Sequence, residues 1–115
     1  MTTRHRTSLS SELLPGTLEM LILKTLSRSP AHGYAIARHL ERVSGDVLRV
    51  GESSLYPALQ RLLVNDWVRA AWGESELKRR ARIYHITPAG RKRLAQEAEG
   101  FERITGAIAA VMAKA

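Results

Sequence analysis

The chain has 115 residues, 44% of them hydrophobic and none of them cysteine, which excludes disulfides, zinc–thiolate sites and thiol catalysis together. Eighteen Lys and Arg oppose eleven Asp and Glu, giving +7 and a pI near 10.6, a balance that favours a polyanionic partner, either nucleic acid or an anionic membrane surface. No apolar run approaches the roughly 18 residues of a membrane span and Met1–Ser8 holds no signal-like stretch, so the expectation is one soluble cytoplasmic domain, small enough to gain stability from a second copy.

Residues 1–13 are polar and Ser/Thr-rich, with Arg4 and Arg6, and read as a flexible N-terminal arm. A first helix is expected over about Pro15–Ser27, with Leu14, Leu18, Leu21, Ile22 and Leu26 at helical spacing. Met20 and Leu23 make it apolar nearly all round, a pattern that calls for burial, in part by a partner subunit. Ser29-Pro30 breaks it. A second helix is expected over about Gly33–Ser44, with Tyr34, Ile36, Ala37, Leu40 and Val43 inward and Gly45 as a left-handed cap. Val47–Val50 reads as a short strand.

A third helix is expected over about Ser53–Asn65, on the repeat Leu55, Leu59, Leu62, Leu63, with Ser53 or Ser54 as its cap. Pro57 sets the start, because its ring opposes the carbonyl four residues back. Residues 67–72 and 82–86 are rich in strand formers and frame a charged loop, so they read as a hairpin. Thr87-Pro88 supplies a capping hydroxyl and then proline at the first helical position, which predicts a last helix over Pro88–Ala113. Along it Leu94, Phe101 and Ile108 recur every seven residues, as do Ile104 and Val111, forming a short seam for helix-on-helix packing.

Three helices, a strand, a basic loop and a strand is the order of a winged helix. The fold class expected is therefore mainly α with a small β-hairpin wing: a winged helix-turn-helix over residues 14–87, then a C-terminal dimerisation helix over 88–115. On the third helix Ser53, Ser54, Tyr56, Pro57, Gln60 and Arg61 lie off the leucine stripe. Hydroxyls and helix N-terminal amides suit phosphate oxygens, Gln60 can read adenine, and Arg61 can meet guanine or phosphate. Lys78, Arg79 and Arg80, with Arg82 beyond, crowd positive charge into the hairpin tip, partly offset by Glu74 and Glu76. Arg91, Lys92 and Arg93 oppose the dipole at the start of the last helix, which points to a role other than local stability. Enzyme chemistry finds no foothold. His5, His32, His39 and His85 form no metal-ligand pair with a carboxylate at helical spacing, no glycine loop cradles a phosphate, and the serines lack a nucleophile-elbow context. No cofactor or metal is expected.

The chain resembles the PadR family of bacterial transcriptional regulators. The resemblance rests on Gly16–Leu23, His32–Ile36, Ser54–Leu59, Arg79–Tyr84 and Ile86–Arg91, and covers about residues 14–112. It departs from the usual pattern at Ser53-Ser54, where the family has Gly-Thr, and its single short last helix is like the compact branch. The resemblance implies a DNA-binding regulator, usually a repressor, acting as a homodimer on a partly palindromic site in double-stranded DNA. Leu94, Phe101, Ile104, Ile108 and Val111 are then the dimer seam. Some compact members bind planar aromatic compounds through a tryptophan on the last helix. Phe101 is the only aromatic there in this chain, so a small-molecule effector stays unassigned. The alternatives are a protein-interaction winged helix, which would show an apolar third-helix face, and a ligand sensor without a primary DNA role, which would show a deep cavity between the last helices. A membrane-surface role ranks behind both, since the cations do not form one amphipathic stripe.

Overall fold

Gly16, at φ 89°, turns the chain into α1 (Thr17–Arg28), a left-handed step that a side chain would resist. The computed structural model describes residues 16–75 and 77–114. The 1–13 arm, Leu14, Pro15 and Glu76 fall outside the described residues. Helix α1 is the hub and touches the three other helices and the second strand of the hairpin. Leu18, Met20, Ile22, Leu23 and Leu26 are all buried. The partner subunit expected to cover part of this helix is not needed for that, because the chain's own elements enclose it.

His32 caps α2 (Gly33–Val43), its ring Nδ1 accepting from the Ala35 amide at 3.2 Å. Only part of the expected inward stripe is inside. Ile36 and Leu40 are buried, while Tyr34 and Val43 are 63% and 70% exposed. They occupy the first and last turns of the helix. After α2 the Ser44 hydroxyl accepts from the Leu48 amide, and Gly45 sits at φ 62°. The strand expected over Val47–Val50 does not form. Among the described residues no strand lies alongside to pair with it, and of these four Val50 alone reaches the core.

Helix α3 (Glu52–Val64) begins one residue earlier than expected. Gly51 is its N-cap, without a side-chain bond, so neither Ser53 nor Ser54 caps it. Pro57 is inside the helix. Leu55, Ala58, Leu59 and Leu62 form its buried face. The strands β1 (Val68–Glu74) and β2 (Arg80–Ile86) are antiparallel, in the register Val68–Ile86 through Glu74–Arg80. They run further out than residue propensity suggested, because each ladder pair extends the next. A lone bridge joins the hairpin to the turn before α2: Ala31 and Tyr84 exchange both backbone bonds, at 3.2 and 2.9 Å.

Helix α4 (Pro88–Ala113) has the bounds expected. The Thr87 hydroxyl accepts from the Gly90 amide at 2.9 Å and donates to the Asp66 carbonyl at 2.7 Å, tying the helix start to the turn after α3. Its first half is integral to the body, with Leu94 packed against the core. From Phe101 onward every described residue is exposed. None of the described helices is long and apolar enough to cross a membrane.

Candidate nucleic-acid interface

Helical periodicity divides the exposed residues of α3 into three groups. Ser53, Pro57 and Gln60 lie opposite the buried leucines and point outward, all exposed. Val64, 74% exposed, continues the same stripe. Val64 is not among the residues that the sequence pattern singles out on this helix. The available signal was its spacing, four residues beyond Gln60.

Tyr56 lies on the flank facing α2. A β carbon at Gly33 would stand 2.6 Å from its hydroxyl, so the glycine is what lets the ring cross the start of α2. Burial raises the Tyr56 pKa above its usual value, with Tyr84 and Glu52 adding to the effect. The phenol therefore stays protonated, able to donate, throughout the neutral range. On the other flank Arg61 is drawn back to α1, its Nε bonded to a Glu19 carboxylate oxygen at 2.5 Å. Ser54 shares that flank and is half-buried.

The hairpin tip is a short turn. Ser75 N–H donates to the Arg79 carbonyl and Lys78 N–H to the Ser75 carbonyl, both at 2.9 Å. Lys78 takes φ 61°, a left-handed conformation costly for a residue with a β carbon. Lys78, Arg79 and Arg80 are all exposed. Arg80 lies over the Trp72 ring at 4.7 Å and Arg82 over Tyr84 at 5.7 Å, so both guanidiniums are steered by aromatic faces.

Tyr56, Arg79 and Arg80 line one cleft of about 590 Å³, together with Trp72 and the His32–Tyr34 start of α2. The other residues singled out on α3, and Lys78, stand outside it. Two of the three cations that open α4, Arg91 and Arg93, have local partners, contrary to expectation. Arg91 reaches the Ser27 carbonyl at the end of α1 (3.4 Å), while Arg93 stacks on Trp67 (4.6 Å) and pairs with Glu97 (2.8 Å). Among the described residues no cluster of His, Asp and Glu is placed to hold a metal ion.

The proposed seam residues also separate. Leu94 packs against its own chain's core, whereas Phe101, Ile104, Ile108 and Val111 are 43%, 52%, 53% and 69% exposed. Two surface hollows flank the α1–α4 contact and both include Phe101.

The model of the family described as "Transcriptional regulator PadR-like family" matches residues 22–96. Over 90 residues the chain is 43% identical to an uncharacterized 37.1 kDa protein in transposon TN4556 of Streptomyces fradiae. That match takes in 78% of this chain but only 24% of the relative, so the chain spans about a quarter of its length. A transcriptional regulator from Clostridium thermocellum is similar in structure at 30% identity, with a TM-score of 0.74, over 81% of this chain and 90% of that one. The Bacillus subtilis PadR, solved in complex with operator DNA, shares the fold at 22% identity and a TM-score of 0.63, over 71% of this chain and 46% of that one.

Proposed function

Since the chain belongs to the PadR-like family of transcriptional regulators, we propose that it binds double-stranded DNA as a homodimer and represses transcription from a partly palindromic operator. The observation that carries this is the pairing of an outward, uncharged α3 face with a hairpin tip of exposed cations. The outward stripe of Ser53, Pro57, Gln60 and Val64 enters the major groove. There Gln60 has the donor and acceptor to read adenine, and Val64 has methyl groups to meet the thymine methyl. Lys78, Arg79 and Arg80 hold phosphates. Tyr56 serves as the wall between the two, while Ser54 and Arg61 stand at the margin of the groove face.

The second copy joins through the exposed half of α4, along Phe101, Ile104, Ile108 and Val111, with Leu94 supporting the helix from within its own protomer. A two-fold pair then sets two α3 helices roughly 34 Å apart, one DNA turn. The division of labour is residues 14–87 for DNA and the outer part of 88–115 for pairing.

The deciding measurement is affinity for duplexes from the chain's own promoter region against salt concentration. Each phosphate contact contributes about −0.9 to the log–log slope, so a steep negative slope is expected. A flat plot, or no retardation of any duplex at low salt, would overturn the reading.

A further inference from the structure

We propose that the cleft between the hairpin and the start of α2 seats one sugar–phosphate strand of the bound duplex, with Trp72 as the ring it lies against. This rests on the DNA-binding reading above and adds residues that neither the outward face of α3 nor the wing tip contains.

The strand register supplies the first reason. Paired residues share a face, so Val68 and Ile86, then Ala70 and Tyr84, then Trp72 and Arg82, then Glu74 and Arg80 all lie on the side that meets the helices. At the base that face is core: Val68 and Tyr84 are 1% and 4% exposed. Further out the same face runs past the helical body, and it carries a tryptophan that is 61% exposed. Arg80, stacked on it, holds the ring in place.

Charge supplies the second. Arg79, Arg80 and Arg82 line the cleft, and no acidic residue is among the described residues lining it. Helix α2 starts there, presenting the positive end of its dipole, and its first turn is also free of acid. Such a surface repels cations and attracts a polyanion.

Shape supplies the third. The Tyr34, Tyr56 and Trp72 rings are each at least two-fifths exposed, so the cleft is a trough and not an enclosed pocket. A trough with ring walls and guanidinium edges fits an extended chain of deoxyribose and phosphate: sugar against ring, phosphate against cation.

The test compares Trp72→Ala with Trp72→Phe in duplex binding at fixed salt. The alanine variant should bind every duplex about tenfold more weakly, with sequence preference unchanged, and phenylalanine should restore most of the loss. In a Trp67→Phe background, Trp72 is the only tryptophan, and its emission should fall as duplex is added. If Trp72→Ala binds as tightly as the unmodified chain while Lys78→Ala, on the wing tip outside the cleft, binds more weakly, the cleft is empty in the complex and the proposal is overturned, with DNA binding intact. If the unmodified chain retards no duplex, the DNA reading fails and the proposal falls with it. Quenching by free thymidine monophosphate but not by duplex would make the cleft a nucleotide pocket and also overturn the proposal.

Discussion

Gly90 lies so close to the Trp67 carbonyl that a β carbon on it would stand 2.0 Å from the oxygen. Neither partner can give way. The oxygen is backbone, it accepts the Thr87 amide at 3.1 Å, and Gly90 is buried within the first turn of α4. Gly90→Ala should therefore destabilise the fold by about 3 kcal/mol, enough to lower Tm by roughly 10 °C or more in a domain this size. Thermal unfolding followed by circular dichroism measures this, and an unchanged midpoint would contradict the packing described.

Lys78 offers a separation of stability from binding. Its φ of 61° is easier for glycine, so Lys78→Gly should hold stability level or raise it by about 0.5 kcal/mol. The same change removes a wing cation and should reduce the salt slope of duplex binding by about one. Loss of both properties together would mean that the turn depends on the lysine side chain.

Gln60 and Arg61 are neighbours in sequence with different surroundings. Gln60 points away from the body, while Arg61 is held by Glu19 on α1. Gln60→Ala should weaken binding to the preferred duplex by about 1–3 kcal/mol and relax discrimination at one base pair. Arg61→Ala should change preference much less. The partly exposed ion pair with Glu19 contributes about 1 kcal/mol or less to stability. Selection of bound duplexes from a random pool would register the contrast, and equal losses of specificity would overturn it.

Ile104 and Ile108 test the pairing surface. Both are about half-exposed in the single chain, so replacing them with aspartate leaves the protomer's own core untouched. The double variant should raise the dimer dissociation constant by about 100-fold or more, because two carboxylates from each protomer would lie unpaired in the seam. Sedimentation equilibrium reads this. An unchanged association constant would place the pairing surface elsewhere.

What the sequence made legible was whatever local chemistry determines. Thr87-Pro88 carries its own cap and its own stop on earlier helix, and so gave both the start and the character of α4. The leucines of α3 and the ends of α2 were equally plain. Tertiary pairing was hidden. Val47–Val50 has the composition of a strand, yet a strand needs a neighbour and the described residues offer none. Residues 73–74 and 80–81 are poor strand formers, yet the ladder takes them in. At the site, Gln60 could be placed from the leucine stripe, but Arg61 was drawn aside by Glu19, 42 positions away. Trp72 read as an ordinary strand residue, since only the register shows that its side of the hairpin leaves the core before the ring is reached.

Helix α4 is bolted to the body at Thr87 and Gly90 and runs on without interruption into the surface proposed for pairing. Twenty-six residues make a rod about 39 Å long, with no hinge along it. In the proposed pair, the angle at which two such rods cross is therefore the angle at which the two reading heads are held. A tilt of about 10° over that length moves one end by about 7 Å, twice the rise of a base pair. In that proposed pair, the gauge for operator spacing would be written in the crossing of the last helices, far from any base the protein would touch.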